Sequence, residues 1–270
     1  MGSSILITKQ QVDDYIERIP PAPKALKETI QQLQAGELIK ASKIAKEDKA
    51  LSRYLKVLIN KPIFGFRDEV SDLSQIFGIL GVTKSQQAVY NYMISLLSPS
   101  KWTLFSLTKV TFYNLQAELS GNWLKILSHL EIDDKEVLSS ITLLPASVIV
   151  SEALFCEKKE DIELLRSVNE IDLNTILKRL CQMDLFDISE RISQKWDMDD
   201  KIGAIVQASS GIKPSKDEEI NKLGQWMHLL LFYTLSKPIY IEAGLNDFIE
   251  FQVEYVEDIY EEFASLMEIS

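Results

Sequence analysis

Apolar residues recur at intervals of three and four along most of this 270-residue chain, a spacing that places them on single helical faces. Leu26, Ile30 and Leu33 form the first stripe, ending near Gly36, and Leu38, Ile39 and Ile44 form a second. Leu51, Tyr54, Leu55, Leu58 and Ile59 make the strongest stripe of the first third, and Lys61-Pro62 breaks it. Ahead of them, Ile19-Pro20-Pro21-Ala22-Pro23 predicts a rigid extended lead-in, because its prolines fix φ and remove backbone donors. Ser71 is the expected N-cap of a stripe made by Leu73, Phe77 and Leu80 and stopped at Gly81. Thr83 and Gln86 then have the spacing of a capping box that opens a helix bearing Val89, Met93 and Leu96. Ser98-Pro99-Ser100 is the best boundary between two helical lobes.

The helical period continues beyond it. Leu104, Leu107, Thr111 and Leu115 predict one helix, Gly121 a break, and Trp123, Ile126, Leu127 and Leu130 another helix before a start at Asp133-Asp134. Val137, Leu138, Ile141 and Leu144 run up to Pro145, which reads as a kink. Val148-Ile149-Val150 are strand formers, yet no second run with hairpin spacing lies nearby to satisfy their backbone groups, so helix is expected. Later stripes fall at Ile162, Leu165 and Val168; at Leu173, Ile176 and Leu180; at Leu185, Ile188, Ile192 and Trp196; and at Ile202, Ile205 and Val206. A turn at Gly211-Ile212-Lys213-Pro214-Ser215 precedes Ile220, Leu223, Met227 and Leu230, and the chain closes on Phe248, Val256, Ile259, Phe263 and Leu266. No repeat and no low-complexity tract interrupts this pattern. The expectation is an all-α protein with an amino-terminal lobe over 10–98, a second lobe over 101–208 and a helical extension over 209–270 with an acidic tail.

Composition narrows the chemistry. A formal net charge of -11 argues against a phosphate-backbone partner, since nucleic-acid affinity comes largely from Lys and Arg releasing counterions. Two cysteines, Cys156 and Cys181, lack the Cys-x-x-Cys spacing and read as small core side chains. No leader-like succession opens the chain, no myristoylation pattern is present, and no run approaches the roughly 18 apolar residues of a membrane span. The expected setting is cytoplasmic, with no nucleic acid and no membrane. Dinucleotide, P-loop, zincin and nucleophile-elbow motifs are absent, so no cofactor is expected. Gly78-x-x-Gly81 could clamp nucleotides, but easing helix packing at Gly78 and ending a helix at Gly81 is the preferred reading. His129 and His228 read as helix residues satisfied by carbonyls.

One stretch resembles a known family. The Pro-Pro-Ala-Pro lead-in, Asp48-Lys49-Ala50-Leu51, Asn60, Phe64-Gly65-Phe66 and Leu80-Gly81 follow the order of the HDOD family, where a proline-rich start precedes Asp-Pro-Ala-Leu, Ala-Asn, an aromatic-Gly step and Leu-Leu-Gly. Lys49 stands where the family usually has proline. The resemblance covers about 19–208 and implies a bacterial protein whose helical lobe packs on a degenerate relative of the HD-type phosphohydrolases. Those enzymes use dispersed histidines and a His-Asp dipeptide to hold a divalent ion that activates water. Here His129 and His228 are both followed by leucine, so no His-Asp exists. By the same resemblance Leu143-Leu144-Pro145-Ala146 replaces Leu-Leu-His-Asp, Trp196 matches a family tryptophan, and Ser209-Ser210 falls near a later His-His pair.

The resemblance therefore implies a non-enzymatic signalling or regulatory module acting through protein contacts, with a signalling kinase or regulator as its class of partner. A phosphodiesterase-like or nucleotide-binding pocket built from carboxylates is the alternative, and a purely structural helical scaffold is a third. Two stretches suit partner binding. Pro20, Pro21, Pro23, Asn60, Phe64 and Phe66 could line an aromatic and proline groove, although the preferred reading has them packed inside the lobe. After Lys237 the chain has many acids and no Lys or Arg; this tail either docks a basic surface or, preferably, caps the core with a solvated acidic face.

Overall fold

Helices need acceptors for the N–H groups of their first turn, and this chain supplies them mostly with aspartate. The computed structural model describes residues 7–19, 23–60, 65–169 and 172–269, and among them the regular elements are helices. In chain order they are α1 (Lys9–Arg18), α2 (Lys24–Gln34), α3 (Leu38–Ala45), α4 (Lys49–Ile59), α5 (Leu73–Ser95), α6 (Lys109–His129), α7 (Lys135–Ser140) and α8 (Leu144–Phe155). There follow α9 (Lys159–Asn169), α10 (Leu173–Cys181), α11 (Leu185–Lys195), α12 (Asp200–Ala208), α13 (Glu218–Leu235), α14 (Pro238–Glu242), α15 (Val253–Val256) and α16 (Tyr260–Met267). Asp48, Asp72, Asp134, Asp172, Asp184, Asp199 and Asp217 each accept first-turn N–H groups, of α4, α5, α7, α10, α11, α12 and α13. Thr8 and Thr108 do the same for α1 and α6.

Two compact units divide the chain, Pro20–Leu96 and a larger one made of Met1–Ile19 with Leu97–Ser270. In the smaller unit α2 packs on α3 and α5, and α4 packs on α5. The stripes predicted for α2, α4 and α5 are buried at Leu26, Leu33, Leu51, Leu55, Ile59, Leu73 and Phe77. Asp48 Oδ1 accepts from Ala50 N and Leu51 N, both at 2.9 Å. Lys49 serves where a proline would, because the N–H of the first helical residue has no intrahelical acceptor in any case. The expected N-cap Ser71 is displaced by Asp72, whose carboxylate accepts from Ser74 N and Gln75 N and pairs with Lys46 at 2.9 Å. Gly81 ends the first helical part of α5 as expected: its φ of 71° and ψ of 178° are non-helical, and a second helical part begins at once. The Thr83–Gln86 capping box does not form, since Gln86 is buried and its amide has no hydrogen-bond partner. Gly78 has open space around it, so it does not ease a close helix contact.

In the larger unit α1 packs on α8, α10 and α11, so residues 10–19 belong here and not with the amino-terminal lobe. The stretch 209–270 likewise belongs to this unit, with α13 packed on α6 and α12. Gly224 permits the latter approach, because a Cβ there would lie 2.6 Å from Ala208 Cβ and 2.7 Å from Tyr255 OH. Two expected breaks are absent. α6 runs straight through Gly121, held by a buried face of Phe112, Leu115, Leu119, Trp123 and Ile126 that outweighs the modest helix cost of one glycine. Pro145 sits in the first turn of α8, where its missing N–H is harmless, so it starts a helix and does not kink one. α8 is buried on all sides from Leu144 to Glu152, which explains why Val148-Ile149-Val150 lacks a polar face.

Leu104 and Leu107 do not join α6. Residues 101–108 are irregular because Glu152, 1% exposed in α8, draws their backbone onto itself. Its carboxylate accepts from Thr103 N (2.5 Å), Leu104 N (3.0 Å) and Phe105 N (3.0 Å). Removing it strands three N–H groups in the core, so Glu152→Ala is expected to lower unfolding stability by about 3 kcal/mol or more in urea titrations, with Glu152→Gln losing less. Gly224→Ala is expected to cost about 1–3 kcal/mol in the same measurement, since either α13 or Ala208 must shift.

Candidate functional site

The positions matched by resemblance to metal ligands lie in the larger unit, and all are part of its interior. Pro145 and Ala146 open α8 and are buried. At the end of α12, Ser209 Oγ donates to Val206 O at 2.7 Å, and Ser210 Oγ accepts from Ile212 N and Lys213 N. Trp196 caps the carboxyl end of α11 and is 5% exposed. Proline and alanine have no donor atom, and the serine hydroxyls serve the local turn.

Beside Ser209, His228 of α13 is fully buried. Gln252 N–H donates to its Nε2 at 3.1 Å, so the proton resides on Nδ1 and is donated to Ser209 O at 3.0 Å. The ring stacks on Phe251 and meets Tyr255 edge-on. Burial lowers its pKa below the usual 6.5, although the Ser209 carbonyl opposes this. His228 is thus a neutral tie between α12, α13 and the segment before α15.

A second polar group gathers where α11 meets the turn after α12. Asp184, Asp187 and Glu190 follow one another along α11, and Lys213 contacts Asp187 while lying 3.8 Å from buried Asp184. Lys178 approaches Asp184 at 3.3 Å, and Gln207 Nε2 donates to Asp187 (3.1 Å) and Glu190 (2.8 Å). Burial works against ionising Asp187, but the Lys213 contact and the Asp184 cap outweigh it and hold its pKa low. Asp184 and Asp187 are therefore paired with lysines, and Glu190 with the Gln207 amide. Among the described residues no three of His, Cys, Asp and Glu stand together so as to hold a metal ion. Cys156 and Cys181 are free thiols.

Residues 19–211 match the HDOD domain family. The chain belongs to the HDOD family. No curated protein matches it. Among solved structures it is similar to an HDOD domain protein of Geobacter sulfurreducens, with a TM-score of 0.64, 11% identity and 96% of each chain covered. It is also similar to a protein of Shewanella amazonensis named provisionally as a phosphohydrolase, with a TM-score of 0.66, 15% identity, and 95% of this chain and 97% of that one covered. At such identities the likeness concerns the fold, which is the all-helical HD-like architecture expected of an HDOD chain.

The partner-binding candidates of this HDOD chain lie in its smaller unit. Pro20, Pro21 and Phe64 fall outside the described residues. Pro23 is exposed at the start of α2 and Phe66 is 43% exposed. Asn60 is a brace: its Nδ2 donates to Lys56 O and Val70 O, and its Oδ1 accepts from Val70 N at 2.9 Å. That ties the end of α4 to Val70, ahead of α5, and explains an asparagine at a helix end. His129 pairs with the Glu262 carboxylate at 2.7 Å, where a carbonyl partner was expected. Sequence reasoning missed the Asp184–Lys213 network and the Glu152 clamp. Their signals were a second acid three residues after Asp184, which makes a capping box, and one acid inside an otherwise apolar run.

The His228 geometry sets a pH dependence. Its native pKa is lowered, so the unfolded chain binds the proton first; stability is complete above about 6.5 and declines as pH falls toward the native value, then levels off. Urea unfolding between pH 7 and pH 4 is expected to show a component of this sign that disappears in His228→Gln.

Proposed function

We propose that this HDOD protein is a non-catalytic regulatory module that acts by binding other proteins in signal transduction, in a cytoplasmic setting. The observation that carries the reading is the chemistry of the positions where HD-type enzymes hold metal. Pro145 and Ala146 are buried and donorless, Ser209 and Ser210 are engaged in the α12 turn, and the nearby Asp184 and Asp187 are paired with Lys178 and Lys213. An interior of this kind supports a scaffold and offers little to activate water. By the family resemblance the partner class is a signalling kinase or regulator. The exposed Pro23 and Phe66 of the smaller unit, together with Pro20, Pro21 and Phe64, belong to the same proposal as contact residues.

Elemental analysis of the purified chain and turnover assays with cyclic dinucleotides test it. The expected result is no stoichiometric divalent metal and no hydrolysis. A stoichiometric metal accompanied by turnover would overturn the regulatory reading in favour of a divergent phosphodiesterase.

A further inference from the structure

The carboxyl-terminal end of the larger unit holds a groove of roughly 430 Å³ between α13 and the α15–α16 segment. Leu229, Phe232 and Phe251 form its floor, with the Phe232 and Phe251 rings stacked 4.5 Å apart. Val253, Tyr260 and Ile269 form its lip and are 58%, 43% and 39% exposed, so three of the large apolar side chains left in solvent converge on one cavity. Three exposed apolar side chains around one cavity give the apolar face of a partner a slot to enter.

Charge identifies the occupant. Glu257 lines the groove, and exposed Glu254 and Glu261 follow Val253 and Tyr260 directly in the chain. After Lys237 there is no Lys or Arg, and Lys237 itself is engaged by Glu118 and lies over the Tyr233 ring. A second copy of this chain would bring the same acids against themselves, and an anionic membrane surface would be repelled likewise. We propose that this groove binds a basic amphipathic helix of a partner protein, whose apolar face enters between Phe232, Val253 and Tyr260 while its Lys and Arg residues meet Glu254, Glu257 and Glu261. The helix-in-groove mode needs an apolar slot with opposite charge beside it; the groove supplies the slot and Glu257, and exposed Glu254 and Glu261 adjoin its lip residues in the chain. This deepens the protein-binding reading above and rests on it.

The test uses the full 270-residue chain and a fluorescent amphipathic helical peptide with Leu and Phe on one face and Lys on the other. Its controls are the same peptide with Glu replacing Lys and a scrambled basic peptide of equal charge. The expected result is saturable binding of the amphipathic basic peptide alone, weakened about tenfold or more by the paired changes Glu254→Lys and Glu257→Lys, and by high salt. Val253→Ser with Tyr260→Ser should weaken it similarly with the helical circular dichroism unchanged, since both side chains are already in solvent. Equal binding of the scrambled peptide, binding that survives these changes, or no binding of the basic peptide would each overturn the proposal. So would a homodimer in sedimentation that Val253→Ser dissolves, which would make the groove a self-interface. The turnover assay decides the regulatory reading independently, because neither peptide affinity nor self-association bears on hydrolysis.

Discussion

The structure depends first on where its helices begin. Each helix presents four N–H groups without internal acceptors, and seven aspartates answer that need. A charged cap stabilises a helix by about 1 kcal/mol and adds a favourable interaction with the helix dipole. Its larger consequence is positional: fixing the first residue fixes which side chains share the buried face one and two turns later. Part of the net charge of -11 is therefore architectural, placed at helix starts and not held for a ligand.

Between these helices, a few buried polar side chains join segments distant in sequence. Glu152 gathers the backbone of 103–105. His228 links Ser209 to Gln252, and Trp123 donates to Val137 O at 2.7 Å. A buried polar group is costly unless its partners are all in place, so such ties specify one arrangement and punish others. This is also the physical reason that the interior at Ser209 reads as structure: the Ser209 and Ser210 hydroxyls and the Ser209 carbonyl are each engaged by a neighbour.

Much of the fold was legible residue by residue. Leu26, Leu51, Leu73, Leu173 and Leu185, the first residues of five stripes, are buried, because amphipathic surface helices record their inner face as a three-to-four spacing. The inference that Val148-Ile149-Val150 is helical follows from the lack of a pairing partner and agrees with α8. The failures share a cause. Gly121 and Pro145 are local signals whose effect depends on what packs around them, and Leu104 was drawn out of helix by a carboxylate 48 residues away. Asn60, part of a candidate recognition patch, has its amide engaged by Val70, a contact that spacing does not announce.

By itself the sequence determined the all-helical class, the HDOD family and the absence of a His-Asp pair, because periodicity, motif order and residue identity are properties of the chain. Tertiary structure decided the rest. Only packing could show that α1 and 209–270 join the larger unit, since membership depends on contacts between distant segments. Only the juxtaposition of α13 with the short helices after it could leave Val253, Tyr260 and Ile269 around one groove that Glu257 also lines, because in sequence they stand outside the apolar stripe of Val256, Ile259 and Phe263.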